Sequence, residues 1–270
     1  MSMPLGAALF GFLYRADREQ AMRQVAEAGY RLLELSAVPP LLDLTDVSAE
    51  ERRKIRSQLE RYELQCVAVN PVELNPISVN TELAAACFHQ YRTAIELTAE
   101  LGGESVVMIT GRRNGLIPGP EQHHRNVLRN HLERLAPVAV RLGVTICLEP
   151  VPYGFLQTAA ELAGFIAESG IDGVGIALDC ANSFFAKADP AQEVDACREF
   201  LGLAHVSDSW RDRWGHTQVG TAEIDIGAFA GALERRGWSG PTIYELVDGE
   251  DPAPRFRGDR EQLAGWGWVT

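Results

Sequence analysis

Four segments in the second half of the chain each finish an apolar run with a residue able to bind a metal ion. ICLEP brings Glu149, GIALDCAN brings Asp179, LAHVSDS brings His205 and IYELVD brings Glu245. Three carboxylates and one imidazole make a hard, oxygen-rich donor set. It suits Mn2+, Mg2+ or Co2+ better than a thiolate-type structural zinc site, and leaves Zn2+ open. On an octahedral ion four protein ligands leave two positions, enough for a substrate with adjacent carbonyl and hydroxyl oxygens. Such an ion would polarise the carbonyl and stabilise an enediolate. One carboxylate beside the substrate carbon could take the proton α to the carbonyl, and a second could return it. Glu149 and Glu245 are the natural pair, because their segments flank those of Asp179 and His205.

These residues need elements that aim them at one volume. Short apolar or β-branched runs alternate with longer amphipathic stretches along the chain. The runs predict strands over Ala7–Tyr14, Leu32–Ser36, Leu64–Asn70, Ser105–Thr110, Val144–Glu149, Gly173–Asp179, Leu203–Ser207 and Thr242–Val247. Apolar spacing of three and four predicts helices over Arg18–Ala28, Ala49–Arg61, Thr81–Leu101, Glu121–Leu142, Ala159–Ser169, Pro190–Phe200 and Ile226–Arg236, with a short last one over Arg257–Ala264. Asp17, Ser48 and Asp225 stand at N-cap positions, and Gly29, Gly102, Gly143 and Gly237 at helix ends. Eight strand–helix units in a chain of this size suit a closed (β/α)8 barrel, a TIM barrel. An open doubly wound sheet is the alternative, but the turn GFLYRADRE after the first run has no GxGxxG. In a barrel the C-terminal strand ends converge on one face, where the chemistry sits. No linker or composition shift divides the chain, so residues 1–270 read as one domain.

Composition narrows the partners. The 270 residues carry 25 Lys+Arg against 37 Asp+Glu, a formal net charge of −12. That balance opposes nucleic acid and an anionic membrane as main partners. No apolar run reaches the ~20 residues of a transmembrane helix, and no basic region precedes the N-terminal apolar stretch. The five cysteines are scattered without a CxxC pair, which fits reduced thiols and a cytoplasmic location. Cys147 and Cys180 flank ligands, read as alternating to other directions, and are taken as packing.

The four ligand segments, in this order, resemble the sugar phosphate isomerase/epimerase family within the xylose isomerase-like TIM barrel superfamily, which includes ketose 3-epimerases, hydroxypyruvate isomerase and inosose dehydratase. HTQVGTAEIDIGAFAGALERRGWSGPTIYEL is similar to that family's link between its seventh and eighth strands, and AEAGYRLLEL resembles its first helix running into the second strand. The resemblance implies one divalent metal on Glu149, Asp179, His205 and Glu245, acid/base work by Glu149 and Glu245, and a small carbohydrate-like substrate. Arg211, six residues after His205, stands where ketose 3-epimerases carry an arginine that binds substrate oxygens. His216, in the family's HxxxG turn, would sit over the site. Two positions depart from the pattern. Asn182 replaces a histidine three residues after the Asp ligand, and Phe155 replaces a glutamate six residues after the first Glu ligand. Asn182 can still donate a hydrogen bond to substrate, and Phe155 would make that side of the pocket apolar.

The resulting reading is a metal-dependent sugar isomerase or epimerase working through an enediolate. A dehydratase of an inosose-like or dehydroshikimate-like keto substrate is a close variant. An endonuclease IV-like phosphodiesterase would need more histidines at strand ends, and a barrel that only binds a small molecule would not need all four ligands. Asn70 and Glu73, after the third strand run, lie on the face that lines the pocket. Asp208 could orient Arg211, bind a substrate hydroxyl or simply start a loop. Trp210 and Trp214 could stack on a sugar or serve packing. Arg112, Arg113 and Asn114 could receive an anion or form a solvated basic loop. The GWGWVT tail could dock on the barrel or on a partner subunit, and a homo-oligomer is left open.

Overall fold

The computed structural model describes residues 2–72, 74–247 and 251–270. Eight strands pair in parallel, in chain order: β1 (Met3–Ala8), β2 (Leu32–Ser36), β3 (Gln65–Asn70), β4 (Ser105–Ile109), β5 (Thr145–Glu149), β6 (Val174–Asp179), β7 (Leu201–Val206) and β8 (Thr242–Tyr244). β1 pairs with β2 through Gly6 and Leu32 and with β8 through Leu5 and Thr242, which closes the ring. The helices α1 (Arg18–Glu27), α2 (Ala49–Arg61), α3 (Thr81–Glu100), α4 (Glu121–Leu142), α5 (Ala159–Ser169), α6 (Cys180–Phe185), α7 (Pro190–Ala196) and α8 (Ile226–Arg236) fall between successive strands. α9 (Ala253–Ala264) and a short β9 (Trp268–Val269) follow. This is the (β/α)8 barrel that the alternation implies.

Local chemistry explains the element bounds. The Asp17, Ser48 and Asp225 side chains accept from the backbone N–H groups of Gln20, Glu51 and Ala228, so three orphan donors are satisfied at helix starts. α5 opens with a reciprocal capping box between Thr158 and Glu161. Gly143 and Gly237 take the left-handed conformation that ends α4 and α8.

Side chains alternate across each strand, so residues two apart share a face. The main core lies between strands and helices. A second, smaller cluster fills the barrel interior: Ala8, Ala68, Val107, Cys147, Ala177, Leu203 and Ile243. Four of these stand two residues before Glu149, Asp179, His205 and Glu245, so an apolar plug lies directly beneath the four ligand candidates. Cys147 therefore shares the face of Glu149 rather than pointing elsewhere, and its role is packing within the plug. Burial pushes its thiol up to about 12. The interior is tight at β1: a Cβ on Gly6 would stand 2.8 Å from Ile243 Cδ1 and 2.9 Å from the Leu32 carbonyl oxygen.

The first strand departs from the sequence expectation. It is Met3–Ala8, not Ala7–Tyr14. Beyond Ala8 the apolar run becomes a 3-10 turn over Phe10–Phe12, and Gly11 packs against the Leu246 carbonyl, where any Cβ would clash. A continuous apolar run does not distinguish a strand from a buried turn. α6, a single short helix within the expected loop after β6, is likewise new. The last helix begins earlier, at Ala253, and the seventh ends at Ala196 rather than Phe200. The tail docks on the barrel: β9 pairs with Met3 and Pro4, and Trp268 is fully buried. No helix among the described residues is long and apolar enough to cross a membrane.

Deleting a buried indole removes transfer energy and leaves a cavity. Trp268→Ala is expected to lower unfolding free energy by about 3–5 kcal/mol in urea titration. Gly6→Ala is expected to destabilise by about 1–3 kcal/mol in the same assay, through overpacking.

Candidate metal centre

The interior layer above the plug is polar. Glu149, Asp179, His205 and Glu245 each offer a ligand atom there, and these four atoms all lie within 4.8 Å of one another. Asp179 and His205 are strand neighbours in register, and Glu149 pairs with Ile109 of β4. All four side chains are buried. His205 Nδ1 lies 3.4 Å from Glu149 Oε1, 3.5 Å from Glu245 Oε2 and 3.7 Å from Asp179 Oδ2.

The remaining atoms are held by neighbours. His205 Nε2 is 2.9 Å from Glu34 Oε2, so an Nε2–H donated to that carboxylate leaves Nδ1 facing the quartet. Glu34 Oε1 in turn accepts from the Asn70 amide at 2.9 Å. Asp179 divides its two oxygens. Oδ1 accepts from the Asn182 backbone N–H at 2.7 Å and caps α6, while Oδ2 faces the quartet. Asn182 Nδ2 donates to Glu149 Oε1 at 3.2 Å, and Asn182 Oδ1 accepts from Trp214 Nε1 at 2.8 Å.

Within the quartet, Asp179 Oδ2 and His205 Nδ1 have no hydrogen-bond partner among the described residues. Buried polar atoms rarely go unpaired. Here both orphans face the point on which three carboxylates converge. The donor set, its closeness and its orphaned atoms fit a divalent cation coordinated by Glu149, Asp179, His205 and Glu245. Electrostatics agree. Burial raises the Glu149 carboxyl above the usual range, and raises that of Glu245 further, with neighbouring carboxylates adding to the lift and His205 opposing it. Burial alone would depress His205, but Glu34 and Glu149 outweigh it and hold the imidazole well above its ordinary value.

The other candidates are distributed as follows. His216 lies over the quartet, with Nδ1 3.1 Å from Ser207 Oγ and 3.6 Å from Asp179 Oδ2; burial lowers its pKa. Asn70 and Asn182 both reach the layer, each bonded to a glutamate. Arg211 is directed elsewhere: its guanidinium donates to the carbonyls of Phe184 in α6 and of Ala188 just beyond it, and stacks on the Phe184 ring at 3.8 Å. Phe155 is fully buried against the His124 ring, with the Arg113 guanidinium 4.9 Å from its centroid, so it packs the wall rather than lining the pocket. Asp208 is a loop organiser: its carboxylate accepts from the backbone N–H groups of Ser209, Gly220, Ala222 and Ile224. Glu73 lies outside the described residues. Glu34 escapes a search for ligands at strand ends. Its signal is a lone carboxylate inside the apolar run LLELS.

With the fold and this layer in view, the family follows. The xylose isomerase-like TIM barrel model matches residues 22–266, and the chain belongs to that family. It is similar to an L-ribulose 3-epimerase of Mesorhizobium japonicum, 26% identical over 242 residues, covering 87% of this chain and 77% of that protein. It is also similar to a 3-dehydro-D-guloside 4-epimerase of Escherichia coli, 27% identical over 179 residues, covering 62% of this chain and 66% of the relative. Among solved structures, a D-tagatose 3-epimerase-like protein superposes with a TM-score of 0.85 at 21% identity, covering 98% of this chain and 97% of the other. An L-ribulose 3-epimerase does so at 0.80 with 21% identity, covering 98% and 94%. At these identities the structures share the fold.

Because Glu149, Asp179 and Glu245 bind a cation as carboxylates and His205 as a neutral imidazole, metal uptake is expected to release protons and affinity to rise with pH. Calorimetry of Mn2+ binding in buffers of different ionisation enthalpy checks this. Glu34→Gln, which weakens the grip on His205, is expected to lower Mn2+ affinity by about 10–100-fold.

Proposed function

We propose that this protein is a metal-dependent epimerase or isomerase of a sugar or related polyhydroxy carbonyl compound. The observation that carries the reading is the buried convergence of Glu149, Asp179, His205 and Glu245 with two unpartnered atoms at its centre. The epimerase names of the similar proteins support the substrate class. Bound there, a divalent cation such as Mn2+, Mg2+ or Co2+ supplies Lewis-acid polarisation of a substrate carbonyl.

The chain's own residues do the proton work. Glu149 ends β5 and Glu245 directly follows β8, so the two flank Asp179 and His205 and their carboxylates approach a substrate from two sides. One takes the proton from the carbon α to the carbonyl, leaving the substrate as an enediolate. The other returns a proton to the opposite face or to the neighbouring carbon. Burial raises both carboxyls above the usual range. Asn182 fixes Glu149 by its amide, and Glu34 fixes His205. His216, whose pKa burial lowers, lies over the quartet with Nδ1 3.6 Å from Asp179 Oδ2.

Solvent deuterium exchange at the carbon α to the carbonyl tests the mechanism. Wild-type protein loaded with Mn2+ is expected to exchange deuterium into at least one keto sugar of a panel. Glu149→Gln and Glu245→Gln are each expected to lower the rate by about 10²–10⁴-fold. Exchange that survives both substitutions at the wild-type rate contradicts the two-glutamate reading.

A further inference from the structure

Glu245 is held differently from the other three ligand candidates. Glu149 pairs with Ile109 across β4 and β5, and Asp179 with His205 across β6 and β7, so each of these stands inside a registered strand pair. β8 is only three residues long, and its pairs with β1 and β7 end at Tyr244. Glu245 is the first residue beyond them, with its N–H on the Val206 carbonyl at 3.1 Å. The sheet therefore leaves its direction less determined than that of Glu149 or Asp179.

Tyr244 supplies an anchor of another kind. Successive side chains of a strand leave on opposite faces, so Tyr244 points out of the barrel as Glu245 points in. It is fully buried, with its ring edge-on to Phe256 at 5.1 Å and stacked 6.4 Å from Tyr30. Its hydroxyl donates to the carboxylate of Asp259 on α9. Asp259 is itself 3% exposed and takes two further donors from the loop after β7: the Val219 N–H at 3.2 Å and Gln218 Nε2 at 3.3 Å. Gln262, in the next turn of α9, lies so close to Gly220 that a Cβ there would stand 2.6 Å from its amide nitrogen. Asp208 ties this loop to itself, whereas Asp259 ties it to the end of β8. The two sides that Asp259 holds meet again over the quartet. The Val247 N–H donates to the His216 carbonyl at 2.8 Å, and His216 Nδ1 is 3.8 Å from Glu245 Oε2.

A buried carboxylate that accepts from a hydroxyl, a backbone N–H and an amide fixes all three donors in one geometry, because bonds to an ionised acceptor are short and strong. From this arrangement we propose that Asp259 is a positioning residue for the quartet: through Tyr244 it fixes where Glu245 stands, and through Gln218 and Val219 it holds His216 over the pocket. It touches neither substrate nor cation. The proposal rests on the metal reading of the quartet for its consequence, and on the contacts of Asp259 alone for the anchoring.

The test uses three variants of the full chain. Asp259→Ala removes the acceptor. Tyr244→Phe removes the hydroxyl and keeps the ring, and it decides the matter alone if Asp259→Ala does not fold. Tyr30→Phe is the control: it removes another buried bond to the same helix, from the Tyr30 hydroxyl to the Phe256 carbonyl at 3.0 Å, and leaves the donors of Asp259 in place. In metal-free protein, amide hydrogen exchange over 216–220 and 243–247 is expected to rise about tenfold in Asp259→Ala, and over 243–247 in Tyr244→Phe, while Tyr30→Phe keeps the wild-type rate there. Mn2+ affinity, measured by calorimetry, is expected to fall about tenfold in Asp259→Ala and about threefold in Tyr244→Phe, and to keep its wild-type value in Tyr30→Phe. For a keto sugar into which wild-type protein exchanges deuterium, the first two variants are expected to lower kcat several-fold at saturating Mn2+ with KM little changed. Losses that track unfolding free energy equally in all three variants overturn the proposal, since Asp259 is then a packing contact. An Mn2+ affinity unmoved in both Asp259→Ala and Tyr244→Phe also overturns it, even where exchange rises. Wild-type protein that takes up no Mn2+ overturns the metal reading instead, and the anchoring then stands or falls on hydrogen exchange.

Discussion

Everything in this barrel is arranged around an unfavourable meeting: three carboxylates and an imidazole gathered where water is scarce. Like charges a few ångströms apart in a low-dielectric interior repel strongly, and each loses hydration on entering it. Such a cluster persists only if something positive sits among them or if the groups bind protons. Glu149 and Glu245 respond with raised carboxyls and His205 with a raised imidazole. The layer below supplies rigidity. A plug of small and branched side chains, one residue pair beneath each ligand candidate, leaves the four strands no room to shift.

Around that centre, neighbours remove the remaining freedom. Glu34 determines which nitrogen of His205 faces inward, Asn182 holds one oxygen of Glu149, and α6 takes one oxygen of Asp179 as its cap. Each contact consumes the atom that is not aimed at the shared point. Asp208 does comparable work at longer range, gathering four backbone N–H groups so that the loop carrying Trp214 and His216 keeps its shape over the pocket. The same loop reaches the charged centre through the Trp214–Asn182–Glu149 chain.

Much of this was legible in the residues. Strand alternation and apolar spacing located the (β/α)8 architecture, and several helices begin and end at the expected residues because their caps are written locally, as at Ser48 and Gly143. The ligand candidates were visible because each is a polar residue closing an apolar run. What escaped depends on contacts far apart in sequence. Glu34 is 171 positions from the histidine it holds, and nothing in LLELS states which partner it will meet. Arg211 sits at the spacing of a substrate-binding arginine, yet its direction is decided by Phe184 and the end of α6, a helix too short to leave a periodic signal. Phe155 similarly turns into the wall because His124 packs against it. β1 begins earlier than its apolar run suggests, since pairing with β2 and β8, rather than hydrophobicity, fixes where a strand lies.

The central claim is that one cation is shared by side chains from four successive strands. Crystals grown with Mn2+ and measured at a wavelength where manganese scatters anomalously test it directly. The account predicts a single strong peak within about 2.0–2.3 Å of carboxylate oxygens of Glu149, Asp179 and Glu245 and of His205 Nδ1. A peak outside this layer, or an occupied ion that leaves Asp179 Oδ2 and His205 Nδ1 uncoordinated, would contradict it.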